Sequence, residues 1–190
     1  VTWEADQRFE HEWWGTCQNT YGEETKQLIY AKLMGLVATH DGNSPFSFDM
    51  NGKSILDIGG GPSSLLLKCR NLKEGWVMDP CPYPRWVAER YNAARIIYMQ
   101  LRGETLGPKA DEVWIYNVLQ HTQDPEKIIK NARKLAPVIR IFEWINIPPH
   151  EGHPHMLTYE NLNQWLGHKG LVGDLNGEGN CHGEFYAGVF

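Results

Sequence analysis

Apolar positions along this chain change rhythm twice. From Trp3 to Leu36 they are helix-compatible, and Gly22-Glu23-Glu24 opens a segment whose Leu28, Ile29, Lys32 and Leu36 fall at helical spacing. Asp41 to Lys53, rich in Gly, Asn, Ser and Pro, predicts a connecting loop. Beyond it the apolar runs shorten, and Ser54–Ile58, Trp76–Asp79, Ile96–Gln100, Glu112–Asn117 and Val138–Trp144 read as strands. Ser63 to about Asn71, Arg85–Arg95 and Glu126–Leu135 read as helices, the second entered through the turn Cys81-Pro82-Tyr83-Pro84. Strands alternating with helices predict a parallel sheet. After Pro148-Pro149 the chain predicts a helix over Thr158–Leu166 with Thr158 as N-cap, then strands at Val172–Leu175 and Glu184–Phe190. The gap between those last strands is too short for a parallel crossover, so they are expected to pair antiparallel at the sheet edge.

Composition narrows the class. At 190 residues, 42% hydrophobic and 22% charged, the chain is expected to form one domain over residues 1–190. A net charge of −5 removes any global attraction to phosphate backbones or anionic lipid. Lys127, Lys130, Arg133 and Lys134 make a basic helix face without interleaved aromatics, which reads as a solvated face; nucleic acid is not the expected partner. No apolar run reaches the roughly 18 residues of a membrane span. The acidic, Trp-rich first residues lack the regions of a signal peptide, so a soluble, cytoplasmic protein is expected. Cys17, Cys69, Cys81 and Cys181 show no CxxC spacing and are expected to be free thiols. Among eight Trp, Trp3, Trp13 and Trp14 crowd the start of the chain, where they suit either a helix docked on the core or a lid over a ligand.

The richest stretch is Ser54-Ile55-Leu56-Asp57-Ile58-Gly59-Gly60-Gly61-Pro62-Ser63-Ser64, a strand running into a glycine turn. Glycines let backbone approach a ligand closely, and the N–H groups beyond them point at whatever sits at the strand's carboxyl end. Asp79 ends the next strand near the spacing at which a carboxylate binds ribose hydroxyls, so the expected ligand contains an adenosine. The dinucleotide pattern G-x-G-x-x-G is not met, because Ser64 stands three positions after Gly61.

These residues resemble the class I S-adenosylmethionine-dependent methyltransferases, in their seven-stranded Rossmann-like form, from about Ser54 to Phe190. Asp57-Ile58-Gly59-Gly60-Gly61 is similar to the family's first motif and Asp79 to its second acid. The run Asp111 to His121, followed by Asp124-Pro125, is similar to the fourth-strand motif of the small-molecule branch. The resemblance implies an α/β, doubly wound, mostly parallel seven-stranded sheet over 54–190 with the last strand antiparallel, preceded by a helical cap over 1–40. It implies S-adenosylmethionine as cofactor and a small molecule as methyl acceptor. Gly59, Gly60 and Gly61 would face the cofactor's amino acid part, with Asp57 ordering that loop. Asp79, with Pro80 beside it, would bind the ribose hydroxyls, Glu104 would contact adenine, and Asn117 and Val118 would line the methionine side. Ser63, preceded by Pro62, replaces the family's third glycine, and its hydroxyl is expected to cap the helix or touch the ligand.

Methyl transfer from a sulfonium is an in-line displacement, so positioning is the main requirement, with a base where the acceptor must lose a proton. His121 and the loop Pro148-Pro149-His150-Glu151-Gly152-His153-Pro154-His155 supply candidates, and His121, His150 and His153 are the expected catalytic residues. The same loop offers nitrogen and oxygen metal ligands but lacks the i, i+4 His spacing that puts two imidazoles on one helix face, so no metal is expected. Trp13, Trp14, Tyr21, Glu143 and His155 are the expected acceptor contacts, Glu143 as a carboxylate for a cationic acceptor, with Trp144 either stacking on it or packed in the core. The competing readings are a methyltransferase acting on nucleic acid or protein, and a nonenzymatic S-adenosylmethionine-binding protein.

Overall fold

A computed structural model of the chain describes residues 3–15, 20, 22–39 and 46–190. Two helices lead, α1 (Trp3–Trp14) and α2 (Glu23–Leu33), followed by short strands β1 (Ala38–Thr39) and β2 (Ser47–Asp49). Then come β3 (Ser54–Ile58), β4 (Cys69–Arg70), β5 (Glu74–Met78), α3 (Arg85–Ala93), β6 (Ile96–Met99) and β7 (Glu112–Tyr116). The chain closes with α4 (Pro125–Leu135), β8 (Val138–Trp144), α5 (Tyr159–Leu166), β9 (Leu171–Asn176) and β10 (His182–Val189).

Seven strands form one sheet in the order β6-β5-β3-β7-β8-β10-β9. Neighbours from β6 to β8 run parallel, and β10 runs antiparallel to both β8 and β9. Every residue of β3 and β7 is buried, including the polar Ser54, Asp57 and Glu112, because a central parallel strand is covered on both faces. The pleat sends alternate side chains to opposite layers. Ile55, Trp114 and Phe142 pack with α2 and α3, whereas Leu56, Ile115 and Ile141 pack with α4 and α5. At the amino end of β7, Glu112 accepts from Lys53 Nζ at 2.7 Å and Arg140 Nε at 2.6 Å, and Arg140 also donates to the Met34 carbonyl at 2.8 Å. That network ties α2 to the sheet at the end away from the glycine turn.

The expected helix from Ser63 to Asn71 does not form. A single 3-10 turn, Leu65–Lys68, leads into β4, which pairs parallel with β2 through Phe48–Cys69 and Asp49–Arg70. Three consecutive leucines give no one-sided helical stripe. The tight turn buries Leu65 and Leu66 completely, and pairing with β2 satisfies the following backbone, including a Met50 N–H to Arg70 carbonyl bond of 2.9 Å. The region expected to be a loop before β3 likewise contains β2. Among the described residues no helix is long and apolar enough to cross a membrane.

Candidate functional site

The glycine turn sits at the carboxyl end of β3, in the middle of the sheet. Gly59 has φ +76° and donates its N–H to the Met78 carbonyl at 2.7 Å, while a Cβ built there would lie 2.1 Å from Val118 Cγ2. Only glycine fits both the backbone angle and the contact. Asp57 is fully buried beneath the turn. Its Oδ2 accepts from Ser64 Oγ at 2.5 Å and from the Tyr116 hydroxyl at 2.6 Å, and its Oδ1 has no partner. Burial pushes the Asp57 carboxyl up to about 7, against the two hydroxyl donors.

Two tyrosines replace what a helix start would organise. Tyr91 on α3 donates to the Gly61 carbonyl at 2.7 Å and accepts the Ser64 N–H at 2.9 Å. Tyr116, ending β7, accepts the Leu65 N–H at 3.0 Å while donating to Asp57. The turn therefore hangs from side chains of two other elements. Capping of the 3-10 turn falls to Ser64, whose Oγ accepts the Leu66 N–H, and not to Ser63. Ser63 lines the cavity, and its carbonyl accepts from Gln27 Nε2.

Asp79 follows β5 and stands beside the turn. Its Oδ2 accepts the Gly61 N–H at 3.0 Å and its Oδ1 the Cys81 N–H at 2.9 Å. Burial raises its carboxyl to about 6, with repulsion from Glu10 adding to the effect against hydrogen bonds from the Cys81 and Gly61 N–H groups and Tyr83.

A cavity of about 560 Å³ opens at these strand ends. Its wall includes Gly59, Gly60, Gly61, Ser63, Asp79, Pro80, Asn117 and Val118, so the structure brings these expected cofactor residues together. Glu104 also reaches the wall, but its carboxylate accepts the N–H groups of Gln123 at 2.9 Å and Asp124 at 3.0 Å, leading into α4. From the cavity wall Glu104 thus also braces that helix entrance through Oε1. Asn117 sits at φ +52° with its Oδ1 accepting from Gln120 Nε2 at 2.9 Å.

Helix α1 covers the opening. Near its start, Trp3 lies 3.7 Å from the Arg102 guanidinium carbon. Farther along, Phe9 rests on Gly152, where a Cβ would come within 2.6 Å of its ring. Glu10 Oε1 pairs with His121 Nδ1 at 3.0 Å, and Glu10 Oε2 accepts from Trp14 Nε1 at 3.1 Å. Trp13 and Trp14 both line the cavity. Tyr21, like Cys17, lies outside the described residues.

Three imidazoles meet where this helix docks. The loop closes on itself through paired backbone bonds between His150 and His153 of 3.1 and 3.0 Å, with Gly152 at φ +84°. His153 packs against His150 at 4.2 Å and perpendicular to His121 at 4.3 Å between ring centroids. His121 Nδ1 also lies 2.6 Å from the Gly152 carbonyl. Burial disfavours the His121 cation, but the Glu10 carboxylate outweighs it, so its affinity for a proton rises. His153 goes the other way: burial, then the neighbouring His121 and His150, push it down to about 4. Its Nδ1 is buried with no partner. Among the described residues no group of three or more His, Cys, Asp or Glu is placed to hold a metal ion.

Two expected acceptor contacts do not reach the cavity. Glu143 is fully buried and turns its carboxylate to the Val118 N–H at 3.1 Å and the Leu119 N–H at 3.1 Å, with burial raising it to about 8. It holds the loop after β7, while its neighbour Trp144 lines the cavity against Tyr30, ring centroids 6.1 Å apart. His155 is absent from the wall. Residues that sequence reasoning passed over are Glu10, Gln27, Tyr30, Arg102, Tyr91 and Tyr116. Glu10 carried one signal, its helical i, i+4 spacing to Trp14.

No family model matches this sequence, and no curated protein matches it. Solved structures do. Magnesium protoporphyrin IX methyltransferase from Synechocystis, solved with bound S-adenosylhomocysteine, superposes with a TM-score of 0.58 at 16% identity, covering 88% of this chain and 82% of that one. A Thermotoga maritima S-adenosylmethionine-dependent methyltransferase, described as a possible histamine N-methyltransferase, gives 0.58 at 14% identity over 98% and 97%. The cyclase SpnF gives 0.53 at 18% identity over 79% and 56%. The fold is that of the class I S-adenosylmethionine-dependent methyltransferases.

Proposed function

We propose that this chain is an S-adenosylmethionine-dependent methyltransferase acting on a small-molecule acceptor. The observation that carries the reading is the joining of the glycine turn to the buried Asp79 carboxylate inside one cavity at the carboxyl ends of β3 and β5. The residues present suit such a cofactor: the turn presents backbone with no side chain in the way, and the cavity volume falls within the 300–1,000 Å³ usual for small ligands. The methyl-bearing sulfonium supplies the reactive carbon; this chain's part is to hold, orient and exclude water. Asp79 keeps lone pairs for ribose hydroxyls beyond its two backbone bonds, and Asn117 and Val118 border the methionine side.

A small acceptor is supported by the cover. Helix α1 runs from Arg102 to His121 across the strand ends and leaves an aromatic-walled chamber, not an open basic groove. Of the imidazoles on the wall, His121 is engaged by Glu10 and Gly152, while burial and its neighbours keep His153 neutral. The free thiols Cys69, Cys81 and Cys181 suit a reducing, cytoplasmic setting. Calorimetry with S-adenosylmethionine, S-adenosylhomocysteine and NAD tests the reading. Binding of the first two alone is the expected result, and binding of NAD alone sinks it. Binding without transfer to any acceptor favours the second reading, a protein that holds S-adenosylmethionine without methylating, for which the fold shared with a cyclase is the specific support.

A further inference from the structure

We infer that the acceptor is an amine, and that Glu10 on the covering helix is the residue that recognises it. This rests on the methyltransferase reading of the same cavity. Helix α1 lies along the cavity. Trp3 stands over Pro80 and Arg102, while Glu10 lies about 10 Å farther along the helix, at 1.5 Å per residue, beside His121 and still within electrostatic reach of Asp79. Trp13, Trp14, Tyr30 and Trp144 supply aromatic faces to the same cavity.

Charge then decides among acceptor classes. The carboxylates on the wall are Glu10, Glu23, Asp79 and Glu104, and facing them are Lys26, Arg102 and His121, whose proton affinity Glu10 raises. All three are engaged: Lys26 pairs with Glu23 at 2.9 Å, His121 with Glu10 at 3.0 Å, and Arg102 stacks on Trp3 at 3.7 Å. Once the two pairs are set aside, a carboxylate or phosphate acceptor finds Arg102 alone set against Asp79 and Glu104. An ammonium finds aromatic faces and the Glu10 carboxylate, each of whose oxygens has one protein partner and spare lone-pair capacity. Glu143, the acid that the sequence offered for this task, is sealed behind the loop after β7.

The reaction balances without a further co-reactant. One ammonium proton is lost to water before attack. The nitrogen lone pair forms the new N–C bond, the C–S bond breaks, and its electron pair stays on sulfur as a thioether. Positive charge thus moves from sulfur to nitrogen within one enclosed site, where a fixed carboxylate follows it at no reorganisation cost.

The test uses the full chain and methyl-labelled S-adenosylmethionine with acceptor sets matched in shape, such as 2-phenylethylamine, 2-phenylethanol, 2-phenylethanethiol and phenylacetate, extended over aliphatic and heteroaromatic members. Transfer confined to amines is expected. Transfer to an alcohol, thiol or acid as fast as to its amine partner, or transfer to no amine in the panel, overturns the inference. Glu10→Gln is the second arm. It is expected to raise KM for the amine by about tenfold or more, as loss of a charged hydrogen-bond partner does, with kcat changed less. Calorimetry of the same variant should give unaltered S-adenosylhomocysteine binding. If Glu10→Gln weakens S-adenosylmethionine but not S-adenosylhomocysteine, the carboxylate reads the sulfonium and the amine assignment fails. If the wild-type chain binds neither, the methyltransferase reading itself has failed.

Discussion

Removing one oxygen from Tyr116 tests how the glycine turn is held. Its hydroxyl donates to Asp57 Oδ2 at 2.6 Å and accepts the Leu65 N–H at 3.0 Å, in a region closed to solvent. Tyr116→Phe leaves the Leu65 N–H buried without a partner, costing about 1 to 3 kcal/mol, and takes one donor from the Asp57 carboxylate, for a total of about 2 to 4 kcal/mol. For a chain of this size that is about 4 to 16 °C in Tm. The pH dependence separates the two parts. Burial raises folded Asp57 to about 7, above its value in the unfolded chain, so its contribution favours folding fully below the unfolded value and is lost as pH rises through 7. The Tyr116 hydroxyl opposes that rise, because it stabilises the carboxylate. Its loss is therefore expected to cost more at pH 8 than at pH 5, where folded Asp57 is neutral. Tyr91→Phe is the control: its hydroxyl donates to the neutral Gly61 carbonyl, so its cost should be the same at both pH values. Urea titrations followed by tryptophan fluorescence measure all four cases. A Tyr116→Phe loss below about 0.5 kcal/mol, or one equal at pH 5 and pH 8, refutes the account of a turn suspended from two tyrosines.

Three further outcomes are expected. Asp79→Asn should weaken S-adenosylhomocysteine about 10- to 100-fold by calorimetry, and unchanged affinity would remove its ribose role. Arg102→Ala frees Trp3 from a cation contact worth about 0.5 to 2 kcal/mol, so amide exchange over Trp3–Trp14 should accelerate about 2- to 30-fold; unaltered protection would mean that this contact does not hold α1 down. Glu112 is held down to about 2 because hydrogen bonds from Arg140, Lys53 and Trp114 overcome its burial; its stabilisation is present above the unfolded value near 4.5 and lost as pH falls through 2. Glu112→Gln should accordingly cost on the order of 3 kcal/mol at pH 7, with urea midpoints converging on the parent towards pH 2, and parallel curves would contradict it.

What could be read from the chain, and what could not, follows from how local each signal is. Strand β8 has the expected ends, Val138 and Trp144, because its apolar run is bounded by turn residues and buried on both faces. The segment after Gly61 misleads because its leucines satisfy helix and turn equally; the choice is made by hydroxyls from Tyr91 and Tyr116, which are 30 and 51 residues away from the groups they hold. The glycine turn and Asp79 were legible for the opposite reason, since the turn's backbone and the acid that receives its N–H lie at the ends of adjacent strands. Glu143 and Trp144 show where that logic stops. Both end β8, and pleating puts adjacent side chains on opposite faces, so a reading that assigns the pair to one ligand is wrong for one of them. Here the indole reaches the cavity and the carboxylate braces the loop above β7. Glu10 is the reverse case. On an isolated amphipathic helix it is one more solvated acid, and only the docking of α1 against His121, 111 residues later, turns it inward and pairs it there. The acceptor side of the site is therefore written in the packing of a helix across the sheet, and a substitution that lets α1 swing away should erase acceptor selectivity before it abolishes cofactor binding.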